Sequence, residues 1–455
     1  MRINVPPFLE ELASLFPKPL YAVGGFVRDA LLGYEAGDID VASSLAPDEV
    51  KTLLTGTSFL VKDGSKKLLT LIIRHGKNEV EYTTFRTDSY GAGHRPEKVV
   101  PTADIRADAR RRDFTVNAIY LDIKSGCLVD ILGGIGDLNK KILRTTRAAK
   151  DVFSEDGLRL MRLARFAASL GFACSEDALE AAKENAPLID DISKERVKDE
   201  LNKILSGDTL YGVKNAPSAG IDLLREIGVL KRILPDICDG IGMEQRPDFH
   251  AYDVYGHILH TIDAASPSVR LAALFHDIAK PYMKITTGRY AGHDKQGGIM
   301  TRRIMTDLKY SVALTEETAR LVENHMFNLN NDVRANTLRR FIVKNRDILD
   351  KLIALKYADY IGSGTAKTPD LPSADRIRAE YEKMLLEGVP FSVKDLLVSG
   401  DDLLSIEELP PAQRGDALNA LLDECVLENS PYLHDRQKQL DFIIQFARRK
   451  PWITK

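Results

Sequence analysis

At 455 residues, with 44% hydrophobic content and a formal net charge of −3, the chain is long enough for about three domains and can bury large cores. No uninterrupted apolar run approaches the ~20 residues of a membrane helix, the N-terminal Met1-Arg2-Ile3-Asn4-Val5-Pro6-Pro7 lacks the apolar core of a secretion signal, and Cys127, Cys174, Cys238 and Cys425 show no paired spacing. These features point away from a membrane protein, a disulfide framework and a zinc knuckle, and predict a globular protein of the reducing cytoplasm.

The first element is a short apolar strand, Leu20 to Val23, running into Gly24-Gly25. Absent side chains there let backbone N–H groups approach a triphosphate, and Arg28 can add a charge-assisted contact. The helix from Phe26 is expected to stop at Gly33. In the strand that follows, alternation puts Asp38 and Asp40 on one face with Ile39 toward the core. Paired carboxylates need a cation. Mg²⁺ held by them together with substrate phosphates fits, and two such ions would activate an attacking hydroxyl and hold a leaving pyrophosphate. Either fragment alone is usually a turn or a solvated strand edge; their order and closeness point to metal-dependent nucleotidyl transfer.

Residues 1–145 mix helices with β-branched segments, among them Leu69-Thr70-Leu71-Ile72-Ile73 and Val80-Glu81-Tyr82-Thr83-Thr84-Phe85, which predicts an α+β head. Glu81 is read as an ordinary exposed strand glutamate, with a third carboxylate or an outer partner of the metal site as alternatives. Arg86 to Pro96 is long enough to be a mobile functional loop. Arg111, Arg112, Asp113 and Asn117 supply donors for a triphosphate and an acceptor for ribose hydroxyls, against the alternative that the arginines form structural salt bridges. Gly133-Gly134-Ile135-Gly136 fails as a dinucleotide fingerprint, because Asn139 replaces the last glycine.

After about residue 145 the period becomes helical. Phe153 to Phe172 reads as one helix, with Ser154 as N-cap and an apolar stripe through Leu160, Leu163 and Phe166. On it Asp156 and Arg159 are surface neighbours, so an acceptor and a donor together could pair with the Watson–Crick edge of cytosine or adenine; an intrahelical Glu155 to Arg159 ion pair is the alternative. Arg162 and Arg165 follow at steps of three. They rotate around the helix, so all four side chains are not expected on one narrow face, and these two are read as phosphate or RNA contacts.

Four motifs, Gly24-Gly25-Phe26-Val27-Arg28-Asp29, Asp38-Ile39-Asp40, Arg111 to Ala118 and Glu155-Asp156-Gly157-Leu158-Arg159, occur in the order of the bacterial-type (class II) tRNA nucleotidyltransferase and poly(A) polymerase family, which the chain resembles most strongly over residues 8–235. The resemblance implies a polymerase β-like nucleotidyltransferase head with a mixed sheet (1–145), a helical neck with the base-reading helix (146–235), an HD domain (236–365) and a helical tRNA-binding body (366–455). It implies CTP and ATP as substrates, Asp38 and Asp40 as catalytic Mg²⁺ ligands, and a nucleotide site of Gly24, Gly25, Arg28, Arg111, Arg112, Asp113, Asn117, Asp156, Arg159, Arg162 and Arg165. The Arg86 to Pro96 stretch becomes the flexible loop that helps the family switch from CTP to ATP. Glu195 to Leu201 resembles a brace for the base-reading helix and is read as structural.

Six of the nine histidines fall between His250 and His325. His257, His276-Asp277 and Asp359 resemble the His…His-Asp…Asp signature of HD phosphohydrolases, and His293 and His325 match its frequent additional histidines. Such ligands suit Mn²⁺, Ni²⁺, Fe²⁺ or Mg²⁺ and can generate a hydroxide for phosphate ester cleavage. Linker signals appear at Gly362 to Pro369 and Glu408 to Pro411, and Ala417 to Arg449 looks amphipathic with a basic end, suited to a tRNA elbow or to packing. The expected activity is CCA addition to tRNA, in whole or part. Poly(A) addition, and an HD phosphohydrolase with a nucleotide-sensing head, are the alternatives.

Overall fold

The computed structural model describes residues 3–35, 37–91, 96–366, 368 and 370–449. The chain forms two compact units, one from residues up to Asp239 together with Ile304–Tyr310, the other from Gly240–Arg303 and the chain from Ser311 onward. Head and neck share the first unit. The HD region and the C-terminal helices share the second.

The first unit is built on strands β1 (Tyr21–Val23), β2 (Asp40–Ser43), β3 (Leu60–Asp63), β4 (Thr70–His75), β5 (Asn78–Thr84), β6 (Arg86–Ser89), β7 (Lys98–Pro101), β8 (Ile119–Asp122) and β9 (Leu128–Asp130). Seven of them make one sheet in the order β3-β4-β5-β2-β1-β8-β9, and β6-β7 is a separate pair. Within the seven-stranded sheet pairing is antiparallel except between β2 and β5, where Asp40 lies opposite Glu81; Ile142–Leu143 and Ala173–Cys174 form a further, parallel pair. Alternation along the strands sorts side chains by face. Ala22, Val41, Tyr82, Ile119 and Leu121 pack with Leu9 and Leu12 of the Pro7–Leu15 helix, with Phe16 just past its end and with Val50 and Leu54 of the Pro47–Leu54 helix, and Ile39 joins them. On the other face Val23, Ala42 and Tyr120 meet Phe85 and Ala109 in a much smaller cluster. Asp40 is on this thinly covered face, two residues before Ala42 and at the start of β2.

The expected single helix from Phe153 to Phe172 is instead two, Ala149–Glu155 and Leu158–Leu170. Asp156 is extended (φ −150, ψ 105). Beside the break the backbone packs closely on a neighbour: a Cβ on Gly157 would lie 2.6 Å from the carbonyl oxygen of Leu188, so only glycine fits there. Ser154 falls inside the first helix, its Oγ donating to Asp151 O, and caps nothing. At the 133–136 glycines, both Asp130 oxygens accept the first N–H groups of the Gly134–Lys140 helix, so a side chain already fills that N-terminus.

In the second unit the Val254–Ala264, Arg270–Phe275, Val312–Asn324 and Leu349–Gly362 helices carry or flank the histidines. Farther on, Arg339, with no exposed surface, donates to Glu380 and Glu387 and so ties the Ala335–Lys344 helix to the Pro372–Leu386 helix and its C-cap. The expected Ala417 to Arg449 stretch is two helices, Arg414–Cys425 and Arg436–Arg449. Ala92 to Arg95 of the expected loop, Lys367 and Pro369 of the linker and residues 450–455 of the basic tail lie outside the described residues.

Candidate active site

A cavity of about 1430 Å³ opens on the thinly covered face of the sheet. Every head and neck residue singled out from the motifs lines it: Gly24, Gly25, Arg28, Asp38, Asp40, Arg111, Arg112, Asp113, Asn117, Asp156, Arg159, Arg162 and Arg165. Gly24 has φ +80, and a Cβ there would lie 3.4 Å from Asp40 Oδ2, so the turn needs glycine for its conformation and for its approach to the carboxylate. The following helix, Gly25–Leu32, ends at Gly33 in the left-handed region.

Asp38 and Asp40 are exposed to the cavity. Surrounding protein still withdraws enough water to raise the Asp40 carboxyl; Arg112 opposes this and Asp38 adds to it. Glu81, read from sequence as an ordinary strand residue, lies directly across β5 from Asp40 and lines the same cavity. Its carboxyl is raised by desolvation and then by Asp40. Its role is invisible to local pattern, because it depends on the parallel β2–β5 register.

Most of the arginines are engaged by the protein. Arg28, 4% exposed, donates from Nε to Asp29, from Nη1 to Asn117 Oδ1 at 2.6 Å and from Nη2 to Tyr211 Oη at 2.8 Å. Asp113 accepts from the Phe114 N–H and Asn117 through one oxygen and from Arg162 Nε at 2.8 Å through the other. Burial raises its carboxyl, but Arg162, Asn117 and Phe114 outweigh that and hold it well below the usual carboxylate range. Glu200 lies 3.2 Å from Arg165 and 4.0 Å from Arg162. Desolvation, then the like charge of Arg162, brings Arg165 down to about 10.

The helix break re-aims the expected base-reading pair. Asp156 and Arg159 are not successive turns of one helix. Asp156 accepts from the Leu158 N–H and lies 2.7 Å from Arg196, within the segment expected to brace it. Arg159, 7% exposed, donates to Glu155 at 2.8 Å, to the carbonyls of Val152 and Arg111, and to Tyr90 Oη at 3.2 Å. The Glu155 to Arg159 pair weighed from sequence is therefore present. With the break and so wide a cavity, all four of Asp156, Arg159, Arg162 and Arg165 reach one space, contrary to the expectation from a continuous helix. Sequence reasoning also missed Asp108, Tyr90 and Tyr211; Asp108 alone left a signal, its spacing of three and four from Arg111 and Arg112.

The second unit holds a different centre. Ligand atoms of His257, His276 and Asp359 lie within 4.8 Å of one another, as do those of Asp277, His293 and His325. Asp277 links the groups: Oδ2 is 3.3 Å from both His257 and His276 Nε2, and Oδ1 is 3.2 Å from His293 and 3.9 Å from His325. His276, His293 and His325 each place Nδ1 2.7–2.9 Å from the carbonyl three residues earlier, which orients Nε2 inward. Against the effect of burial, Asp277 and Asp359 carry His276 up to about 10. Burial, His293 and His276 push His325 down to about 3. Buried imidazoles and carboxylates with aligned lone pairs fit a transition metal.

Family models match in the same order as these features: the poly A polymerase head domain over residues 20–144, the probable RNA and SrmB-binding site of polymerase A over 171–241, and the HD domain over 250–361. The CCA-adding enzyme of Geobacillus kaustophilus is 43% identical over 188 residues, covering 41% of this chain and 45% of the relative. That of Lactococcus lactis subsp. cremoris is 37% identical over 257 residues, covering 54% and 60%. The chain thus spans about half the length of the curated relatives it matches. In fold it resembles the Bacillus stearothermophilus CCA-adding enzyme in complex with CTP (TM-score 0.69, 24% identity, 98% of this chain and 99% of that one). It also resembles the Thermotoga maritima CCA-adding enzyme complexed with tRNA (TM-score 0.55, 18% identity, 97% and 96%). The chain thus carries, in this order, a poly A polymerase head domain, a polymerase A RNA-binding region and an HD domain, and over about half its length it is similar to CCA-adding enzymes.

Proposed function

We propose that the protein adds CCA, or part of it, to the 3′ end of tRNA from CTP and ATP, in the cytoplasm. The observation that carries this reading is the single cavity joining the Gly24-Gly25 turn, the Asp38/Asp40 pair and the Arg111 to Asn117 segment. In the reaction the tRNA 3′-hydroxyl oxygen forms a bond to the α-phosphorus, the bond from that phosphorus to the bridging oxygen breaks, and pyrophosphate leaves. Asp38 and Asp40 would hold Mg²⁺, which supplies Lewis-acid activation of the hydroxyl and charge neutralisation on the phosphates. Gly24 and Gly25 present backbone at the phosphates, Arg111 and Arg112 balance triphosphate charge, and Asp113 and Asn117 face the ribose. Arg159 and Asp156 stand ready to exchange their protein partners for the edge of a base.

Incubating purified protein with tRNA lacking its 3′ end, offering each nucleotide separately and then CTP with ATP, tests the reading. Addition that stops after CCA supports it; unlimited AMP addition identifies a poly(A) polymerase. Absence of any transfer, with nucleotide-dependent hydrolysis instead, identifies a phosphohydrolase with a sensing head. A second activity is favoured by the geometry around Asp277: a phosphohydrolase centre in which His257, His276, Asp277 and Asp359, with His293 and His325, would hold a transition metal, Mn²⁺ or Ni²⁺, that supplies an activated hydroxide for phosphate ester cleavage. Its use would be to remove a terminal phosphate or cyclic phosphate that blocks the acceptor hydroxyl. Elemental analysis and hydrolysis of 2′,3′-cyclic nucleotides test it.

A further inference from the structure

Asp108 is fully buried, on the Ile105–Arg111 helix beneath the cavity. Oδ1 accepts from Arg111 Nε at 2.8 Å and from the backbone N–H of Arg86 at 3.3 Å. Oδ2 accepts from Tyr120 Oη at 2.6 Å and from Arg112 Nη2 and Nε at 3.3 and 3.4 Å. Arg112 Nε also donates to Tyr120 Oη at 3.1 Å, and its guanidinium lies 5.4 Å from that ring's centre. One carboxylate thus grips the inner edges of both arginines. Arg112 Nη1 is left facing the Gly24 turn, 3.8 Å from where a Cβ on that glycine would be.

We infer that Asp108 is a positioning residue that aims Arg111 and Arg112 at the triphosphate of the incoming nucleotide; the inference rests on the nucleotidyl-transfer reading above. Packing does not account for a buried carboxylate, because an apolar side chain of similar volume serves a core as well or better. A long arginine loses rotamer freedom when it meets a ligand, and here that loss is incurred on folding, before the nucleotide arrives. Burial raises the Asp108 carboxyl, but Arg112, Arg111 and Tyr120 outweigh it and hold it below its ordinary value, so it stays charged at neutral pH.

The test is Asp108→Asn, read by binding and by turnover. Calorimetric titration of wild type and variant with CTP and with CMP isolates the phosphate contribution. The variant is expected to lose about tenfold or more in CTP affinity, the scale of a hydrogen bond to a charged group, while CMP affinity stays within about twofold. In turnover, KM for CTP and ATP should rise in step while KM for tRNA is unchanged. Should Asp108→Asn fail to fold, Tyr120→Phe takes its place, with a smaller loss of about threefold confined to the triphosphate. Unchanged CTP affinity in a folded variant, or equal losses for CTP and CMP, overturns the inference. Wild type that binds CTP but transfers nothing to any RNA overturns the transfer reading instead, and the titrations still decide the role of Asp108.

Discussion

Asp38 and Asp40 stand exposed at the rim of a cavity of about 1430 Å³, whereas His257, His276, Asp277, His293 and His325 are each at most 4% exposed. The first centre offers hard oxygen ligands and leaves much of the coordination sphere to water and substrate; the second offers inward-facing nitrogens and a shared carboxylate already at close range. The difference lies in what completes each site. On the proposed reading the carboxylate pair would be finished by the nucleotide that brings its phosphates, so that metal and substrate arrive as one unit. The histidine pocket is finished by folding, so a metal bound there would become part of the second unit's stability.

The sharpest break in this contrast is chemical. Asp40→Asn is expected to lower CMP and AMP transfer by roughly 10³-fold or more, about 4 kcal/mol of transition-state stabilisation, while leaving RNA affinity nearly intact because that comes from basic contacts. Single-turnover assays at saturating Mg²⁺, with gel-shift titration of the same protein, check both halves. The next effect is on selectivity. Asp156→Ala combined with Arg159→Ala should relax discrimination against UTP and GTP by about tenfold or more, and unchanged selectivity among the four nucleotides would reduce the pair to bracing. Thermal unfolding comes third. Ni²⁺ or Mn²⁺ at a hundredfold excess over its Kd should stabilise the second unit by about 2.7 kcal/mol, with no such gain from Mg²⁺ alone at the head, and His276→Ala with Asp277→Ala should remove it. The smallest effect is the same double variant's effect on nucleotide addition, expected to stay within about twofold if the centres act independently. A large loss in a folded variant would show that they do not.

Much of this layout was legible before folding. Gly24 and the Asp38/Asp40 pair announce themselves because glycine conformation and close spacing are local, although β2 begins only at Asp40 and Asp38 lies in a bend before it, not on the expected strand; the histidine cluster does so because six of nine histidines fall in one stretch. The strands expected around Leu69 to Ile73 and Val80 to Phe85 form as β4 and β5. What stayed hidden depends on distant partners. The break at Asp156-Gly157 packs against the Leu188 carbonyl, far along the chain. Glu81 gains its place only through the register with Asp40. Arg28 looked like a phosphate ligand because Tyr211 and Asn117, which take its donors, lie far from it in sequence.

That last arrangement bears on how far the protein can be taken apart. The match to the head domain ends at residue 144, yet three of the polar attachments at its cavity are made by residues beyond that point: Arg28 with Tyr211, Asp113 with Arg162, and the Arg111 carbonyl with Arg159. A head excised at that border would carry a complete sheet and an unfinished pocket. Grafting it onto a foreign neck would transplant the strands intact while leaving Arg28 and Asp113 to find new counterparts. The head must therefore travel at least with the helices through Tyr211, within a compact unit that runs on to Asp239 and takes in Ile304–Tyr310, and chimeras cut between residue 144 and Tyr211 should fold better than they work.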